Sequence, residues 1–387
     1  MTASLRRAAG SLLVVGLEGT ELTAPERAWL GQVRPAGIIL FRRNIADARQ
    51  TRALLNEATG LGSAHSLRCV DVEGGTVDRL RDALAPLPSA QAVARAAGSG
   101  SVIPRSQNRD LGHPRMGRTG LAREHGELVG QAVNAFGFNT TLAPVLDLGL
   151  PESTKVMGTR SAAATAAGVV EYARGFLSGL AAKGVVGCGK HFPGLGGGTR
   201  DSHSETPAIR RSGRELCAED LAPYRELRDE LPMVMVNHAA YPQTPSKARP
   251  ASVSAYWIST VLRKRIGYRG IAFSDDLEMG GILKFLPMEE AAVAAVRAGM
   301  DLLEICHSPE LILRAYEALV AEGERSEAFG RLLAARAARM ARQRGKLFAG
   351  GVASALSARQ FEALRARILR FSKTVEKSQP TAEAQPA

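Results

Sequence analysis

The 387-residue chain lacks several features that would indicate other classes of protein. Aromatic residues make up only 5% of it, and although the formal net charge is +12, no five basic residues follow one another. Nucleic-acid-binding surfaces usually combine clustered cations with aromatic stacking platforms. No apolar run reaches the roughly 18 residues that a membrane-spanning helix requires. We therefore expect neither a nucleic-acid partner nor a membrane partner, and interpret the basic charge as a solvated surface.

Cysteine is scarce as well. The four cysteines are Cys69, Cys188, Cys217 and Cys306. They form no CxxC pair, and three of them lie in apolar runs, where we expect buried free thiols. An apolar run follows Arg6 and Arg7, but it is not followed by the small-residue cleavage pattern of a signal peptide. These observations predict a cytoplasmic protein.

Eight short apolar runs alternate with segments of helical periodicity. Each run is rich in Val, Ile and Leu, as in strands buried on both faces of a parallel sheet. The runs are Leu12–Leu17, Gly37–Phe41, Leu67–Val72, Thr140–Leu146, Val185–Lys190, Met233–Asn237, Gly270–Asp275 and Met300–Cys306. The pattern predicts an α/β fold, a closed (β/α)₈ or TIM barrel forming one domain over residues 1–350. A doubly wound open sheet is the alternative.

Two regions depart from this alternation. Residues 98–119 are rich in Gly, Ser, Pro and Arg, and we expect them to form a surface insertion. Residues 351–372 contain an amphipathic C-terminal helix, which Ser357 and Gln360 are expected to begin with a capping box. The polar segment 373–387 contains proline and is expected to be disordered.

Polar residues follow the ends of most of the predicted strands. They are Asp71, Glu73 and Arg79 after the third run, Asp147 and Arg160 after the fourth, Lys190, His191, Asp201 and His203 after the fifth, His238 after the sixth, and Asp275 and Asp276 after the seventh. In a TIM barrel such side chains converge on one concave site. A single residue of this kind can also serve the fold alone, and Asp275 or Asp276 is expected to cap a helix. Together they predict an active site.

The segment after the fifth run, KHFPGLGGGTRDSHSETP, combines three glycines with an acid and a histidine. Glycines 196–198 permit a loop to move. Asp201 and His203 are two residues apart, so they share a face of an extended segment, and the carboxylate can orient the imidazole. His203 is therefore a candidate general acid and base. Taken alone, the DSH motif is equally compatible with a solvated loop.

A metal centre is a further possibility for these side chains. Asp201, His203, His191 and His238 are of the types that bind Zn²⁺. Metal-dependent barrel hydrolases usually carry closely spaced histidine pairs, and this chain has neither HxH nor HxxxH. We therefore expect no metal and no cofactor.

Three motifs resemble those of the bacterial β-N-acetylglucosaminidases (β-N-acetylhexosaminidases) of glycoside hydrolase family 3. They are KHFPG followed by DSH, FSDDLEM, and DVEGGTVDR, and the resemblance extends from Leu12 to Phe348. It implies a retaining exo-glycosidase that hydrolyses terminal β-N-acetylglucosamine from muropeptides or related glycans in peptidoglycan recycling. We expect a monomer whose partner is a small glycan.

The resemblance also implies roles for individual residues. Asp275 corresponds to the nucleophile that forms a covalent glycosyl-enzyme, and His203 corresponds to the acid/base that pairs with Asp201. The implied substrate-binding residues are Asp71, Arg79, Arg160, Lys190, His191 and His238.

The sequence departs from the family pattern at two positions. Leu195 occupies a position that is more often histidine, which is expected to change loop contacts. Thr76 occupies a position that is arginine in many relatives, which is expected to change how the sugar or its neighbour is held. The alternatives are a family 3 β-glucosidase, a glycoside phosphorylase and an inactive glycan-binding protein.

Overall fold

The computed structural model describes residues 2–98, 118–198 and 207–378. The strands are β1 (Leu13–Val15), β2 (Gly37–Leu40), β3 (Leu67–Val70), β4 (Val72–Gly74), β5 (Val77–Asp78), β6 (Thr140–Thr141), β7 (Val186–Phe192), β8 (Met233–Val236), β9 (Ile271–Asp276) and β10 (Leu302–Ile305). Eight of them are parallel and close a barrel in the order β1-β10-β9-β8-β7-β6-β3-β2, while β4 and β5 form a separate antiparallel hairpin. The TIM barrel prediction is confirmed, and the open sheet is excluded.

Each predicted run contributes one barrel strand, although the fourth is much shorter than expected. Pairing over Thr140–Leu146 is limited to the two residues of β6. Pro144 has no backbone N–H to donate to a neighbouring strand. Contact with β7 continues beyond the regular ladder, because the Ala143 and Pro144 carbonyl oxygens accept the N–H groups of Cys188 and Lys190 at 2.8 and 3.1 Å and Val145 forms an isolated bridge with Lys190.

Helices surround the barrel. They are α1 (Thr2–Gly10), α2 (Ala24–Val33), α3 (Ala48–Gly60), α4 (Ala90–Gly98), α5 (Arg118–Ala135), α6 (Thr154–Met157), α7 (Ala166–Ala181), α8 (Gly213–Glu215), α9 (Ala222–Glu226), α10 (Gly280–Leu283), α11 (Met288–Ala298), α12 (Pro309–Arg325), α13 (Glu327–Leu347) and α14 (Ala358–Lys377). A π-helical segment, Tyr256–Arg265, occupies the position between β8 and β9. None of the helices described here has the length and apolar character needed to cross a membrane.

The C-terminal helix α14 begins as predicted and ends later than predicted. Ser357 Oγ accepts the Gln360 N–H, and the Gln360 side chain accepts the Ser357 N–H, which confirms the capping box. The helix packs against α4 and α5, where Phe371 stacks on His125. It continues to Lys377 because Val375, one turn after Phe371, is also fully buried. The prediction that disorder begins at residue 373 is therefore wrong for 373–377.

The predicted surface insertion lies mostly outside the described residues. Gly98 ends α4 and Arg118 begins α5, so both ends of the predicted 98–119 segment belong to helices.

Asp301 joins several elements at the amino end of the barrel, just before β10. It is fully buried. Its carboxylate accepts hydrogen bonds from Arg263 at 2.5 Å, Arg339 at 3.1 Å, Arg336 at 3.3 Å and the Ala272 backbone N–H at 2.9 Å. These partners lie on β9, on the π-helical segment and on α13. The Asp301 carboxylate therefore links β9 and the start of β10 to the π-helical segment and to α13.

Glu304 is an ionisable residue within the barrel wall. It lies in β10, is 2% exposed, and its Oε1 has no hydrogen-bond partner among the described residues. Burial raises its pKa well above the usual range, and the nearby carboxylates of Asp276, Asp71 and Asp275 raise it further, against the opposing effect of Lys190. We infer that the folded protein holds Glu304 in its neutral form.

The Asp301 cluster generates a prediction about stability. The substitution Asp301→Ala is expected to lower the free energy of unfolding by about 3 kcal/mol, because it leaves three half-buried arginines without their fully buried counter-charge. Urea unfolding followed by circular dichroism measures the change. Glu327→Ala is the control: Glu327 pairs with Arg331 on the surface and is 85% exposed at its side chain, so its loss is expected to cost at most about 1 kcal/mol. Equal effects of the two substitutions would contradict the role of Asp301.

Glu304 generates a prediction about pH. Above the usual glutamate pKa the unfolded chain loses this proton while the folded protein keeps it, so Glu304 lowers stability as pH rises towards its folded pKa. Glu304→Gln removes this cost. Between the usual glutamate pKa and the folded pKa, the free energy of unfolding of the variant is therefore expected to exceed that of wild type by up to about 1.4 kcal/mol more for each pH unit. The two proteins are expected to be most similar in stability near pH 4. Urea unfolding between pH 4 and 8 measures the difference. A difference that is independent of pH would show that folding does not raise the pKa of Glu304.

Candidate active site

A hairpin at the carboxyl end of β3 presents two acidic side chains. Asp71 and Glu73 lie on its first arm, and Gly74 and Gly75 form its turn with positive φ angles of 87° and 63°. A Cβ atom at Gly74 would lie 2.1 Å from the Pro88 carbonyl oxygen, so only glycine fits. This close approach fixes the direction in which the hairpin leaves the strand.

Thr76, one of the two departures from the family pattern, is exposed at the turn of this hairpin. The structure therefore places a short neutral side chain at the exposed turn of the hairpin, beyond the buried Glu73.

Lys190 connects the two acids. Its Nζ lies 2.9 Å from Asp71 Oδ1 and 2.7 Å from Glu73 Oε1. Arg160 binds Glu73 through two parallel hydrogen bonds of 2.8 Å. Arg79 Nη2 lies 3.5 Å from Asp71 Oδ2. The five side chains carry three positive and two negative charges. We call them the Lys190 cluster.

The charges of the cluster stabilise one another. Burial alone would raise the pKa of Asp71 and Glu73, but the cations Lys190, Arg79 and Arg160 more than offset it, and both pKa values lie below the usual range. Burial would likewise lower the pKa of Lys190, but the two carboxylates raise it. These three groups therefore stay charged at neutral pH and offer strong hydrogen bonds to a polar ligand.

Asp147 orients His191 at the end of β7. Its Oδ2 lies 2.6 Å from His191 Nδ1, and its Oδ1 accepts the Leu195 backbone N–H at 2.7 Å. The proton therefore lies on Nδ1, which leaves Nε2 as an acceptor 3.5 Å from Arg160 Nη2. The Leu195 contact is made by the backbone, so it does not depend on the leucine side chain that departs from the family pattern.

Asp275 is the penultimate residue of β9 and is half-buried. Its Oδ1 accepts the Asp276 backbone N–H at 3.0 Å, and no cation among the described residues forms an ion pair with its carboxylate. Asp276 instead caps the following turn, where its Oδ1 accepts the Glu278 N–H at 3.0 Å. The expectation that one of the two acids caps a helix is inexact, because α10 begins only at Gly280.

His238 lies below this strand end. Nε2 donates to the Asp276 carbonyl oxygen at 2.9 Å, and Nδ1 accepts from Ser252 Oγ at 2.7 Å. Burial lowers its pKa, so the ring is neutral. Both nitrogens are thus engaged within the protein, and His238 supports the backbone of Asp276 instead of offering a free nitrogen to a ligand.

The structure brings together most of the predicted site residues. Asp71, Arg79, Arg160, Lys190 and His191 form one contact network, and Asp275 lies at the same end of the barrel. Asp201 and His203 lie outside the described residues. Glu73 and Asp147 were predicted to approach the site as strand-end acids but were given no individual role, and Glu304 was not predicted at all. The signal that could have identified Glu304 is its position as an acid within the apolar run MDLLEIC.

Comparison with known proteins agrees with this architecture. The model of the glycosyl hydrolase family 3 N terminal domain matches residues 4–342. A beta-hexosaminidase from Alkalilimnicola ehrlichii is 38% identical over 301 residues, which cover 78% of this chain and 82% of that protein.

Two solved structures are also similar. A family 3 β-N-acetylglucosaminidase from Paenibacillus sp. str. FPU-7 has a TM-score of 0.81 at 30% identity, covering 95% of this chain and 68% of the other. NagZ from Neisseria gonorrhoeae in complex with N-trifluoroacetyl-D-glucosamine has a TM-score of 0.73 at 29% identity, covering 96% and 98%. The family match and the sequence identity, each over most of the chain, show that this protein belongs to glycoside hydrolase family 3.

Proposed function

We propose that this hydrolase releases terminal β-linked N-acetylglucosamine by a retaining mechanism in which Asp275 is the nucleophile. The observation that carries the proposal is the position of the Asp275 carboxylate. It is half-buried at a strand end, bonded only to the N–H of the next residue among the described contacts, and at the same end of the barrel as a cluster of fixed charged donors. A carboxylate without a cation partner keeps its electron density available for attack on an anomeric carbon.

The Lys190 cluster supports the proposal that the site binds a sugar. Lys190, Arg79 and Arg160 are held by carboxylates at defined positions, so they can donate directional hydrogen bonds to sugar hydroxyls. Asp71 offers carboxylate oxygens as acceptors beside them. His191 presents Nε2 as a further acceptor because Asp147 holds its Nδ1 proton. A sugar with several adjacent polar groups matches this set of donors and acceptors.

The relatives support the choice of sugar. The similar protein from A. ehrlichii is named a beta-hexosaminidase, and the similar Paenibacillus structure is a β-N-acetylglucosaminidase. The NagZ structure contains an N-acylated glucosamine analogue. We extend this preference to the present chain, with muropeptides from the cell wall as the substrate class, a cytoplasmic location and a monomeric state.

The proposed reaction has two displacements. Asp275 attacks C1 of the sugar while His203, oriented by Asp201, gives a proton to the leaving oxygen as the glycosidic bond breaks. His203 then takes a proton from water, which attacks C1 and releases Asp275. Two inversions at C1 give net retention of the anomeric configuration.

Asp275→Asn tests the nucleophile and the sugar together. Hydrolysis of an aryl β-N-acetylglucosaminide by wild type is expected, with little turnover of the aryl β-glucoside. The variant is expected to lose activity by about 10⁴-fold or more, because an amide cannot form the covalent intermediate. Asp229→Asn, at a side chain 80% exposed, is the matched control and should retain wild-type activity.

The possible outcomes of this assay are distinct. Preferential turnover of the glucoside would overturn the assigned sugar, and full activity of Asp275→Asn would overturn the nucleophile. A rate that depends on added inorganic phosphate, with a sugar phosphate as product, would identify a phosphorylase. Absence of turnover on both substrates, with sugar binding retained, would identify a binding protein.

His203→Ala tests the acid. The variant is expected to lose about 10²–10⁴-fold on substrates with poor leaving groups and much less on nitrophenyl-type substrates, which need little protonation. The measurement is kcat/KM over a series of aryl leaving groups, with Asp275→Asn as the comparison that should lose activity throughout the series. Equal losses of His203→Ala on good and poor leaving groups would argue against this role.

A further inference from the structure

A second group of ligand-type side chains lies at the ends of β9 and β10. Asp276, Cys306 and His307 each offer one ligand atom, and the oxygen, sulfur and nitrogen lie within 4.8 Å of one another. They share no residue with the Lys190 cluster. Asp276 is half-buried, Cys306 is buried and His307 is exposed, so the group is closed on the barrel side and open towards solvent.

Glu278 adds a fourth donor. Its Oε2 lies 2.9 Å from His307 Nδ1, and its Oε1 accepts the Ser308 backbone N–H at 2.6 Å. His307 Nδ1 is also 3.5 Å from Asp276 Oδ2. One imidazole nitrogen therefore faces two carboxylate groups, each of which is already oriented by a backbone N–H.

Neighbouring contacts hold this group in position. The Leu277 N–H donates to the Glu304 carbonyl oxygen at 2.9 Å, which ties the segment after β9 to β10. Arg43 donates to the Cys306 carbonyl oxygen at 2.7 Å. The His307 ring stacks on Phe41 with centroids 5.3 Å apart. Because strand ends and a stacked ring carry the donors, a cation can gather them with small side-chain rotations.

We propose that Asp276, Glu278, Cys306 and His307 form a binding site for a divalent cation of the zinc class. One sulfur, one imidazole nitrogen and carboxylate oxygens are the donors that zinc prefers, whereas magnesium and calcium sites are built from oxygen atoms. Ligand atoms around tetrahedral zinc lie about 3.3–3.8 Å apart, so the ligand atoms of Asp276, Cys306 and His307, which lie within 4.8 Å of one another, need to approach by up to about 1 Å. The thiol proton of Cys306 passes to solvent as the metal–sulfur bond forms. His307 then binds through Nδ1 and is protonated on Nε2.

The site adjoins the proposed nucleophile. The backbone N–H of Asp276 is bonded to Asp275 Oδ1. A cation on Asp276 places positive charge beside Asp275, which stabilises its carboxylate and weakens it as a nucleophile. The cation is therefore expected to inhibit hydrolysis. The expected inhibition rests on the proposed role of Asp275, whereas binding of the cation does not.

Binding is tested on the EDTA-treated full chain. Titration calorimetry with Zn²⁺ is expected to show a site that Cys306→Ser and His307→Asn weaken by at least about 10-fold, the minimum cost of losing even an outer-shell partner. Titration with Co²⁺ is expected to give a thiolate-to-metal charge-transfer band that Cys306→Ser abolishes. The controls are Cys217→Ser and His65→Asn, since both residues are exposed and distant in sequence from the site. A cobalt band that is absent, or that survives Cys306→Ser, overturns the site. Unchanged Zn²⁺ affinity in His307→Asn also overturns it.

Inhibition is measured separately on the same proteins. Zn²⁺ is expected to inhibit wild type and His65→Asn over the concentration range in which the site fills, and His307→Asn only at concentrations at least about 10-fold higher. Binding without inhibition would overturn the regulatory role and leave the site intact. Absence of hydrolysis by metal-free wild type would contradict the proposed function. The binding experiment would still show whether the cation site exists.

Discussion

The contact of Lys190 with Asp71 and Glu73 is the interaction on which the rest of the site depends. The Lys190 side chain is 4% exposed, and its ammonium group is costly to bury unless opposite charges surround it; each carboxylate meets the same constraint. The hairpin that carries both acids bends directly after Glu73, at Gly74, where no side chain fits. Arg160 and Arg79 then complete the charge balance. The position of the proposed sugar-binding groups thus follows from the requirement that buried charges be paired.

Much of the fold could be predicted because parallel barrel strands are buried on both faces and therefore form continuous apolar runs. The same pattern predicted where polar side chains meet, since all eight carboxyl ends lie on one face. The β4–β5 hairpin could not be predicted, because strands of two and three residues have no measurable periodicity. The later end of α14 was missed for a related reason: one buried residue, Val375, extends a helix into a segment whose composition is that of a polar tail.

Contacts within the site were less predictable than its location. Asp275 and Asp276 are adjacent and chemically identical, yet one is free of cations and the other caps a turn. His238 follows a strand as expected, but a carbonyl oxygen and a hydroxyl occupy both of its nitrogens. Sequence spacing indicates which residues approach the site, whereas the direction of each side chain depends on hydrogen-bond partners that lie far away in the chain.

Acidic side chains at the two ends of the barrel differ in how completely their hydrogen-bonding capacity is used. At the amino end, Asp301 accepts from three arginines and a backbone N–H, so its hydrogen-bonding capacity is used within the protein. At the carboxyl end, the capacity of Asp275 is used only in part, and the three cations of the Lys190 cluster outnumber its two acids. Charged groups whose hydrogen-bonding capacity is fully used within the protein hold elements together. Charged groups with unused capacity remain available to a ligand. The proposed binding and catalysis therefore lie at the end where charge is incompletely paired, whereas the paired charges of Asp301 at the other end link elements of the barrel.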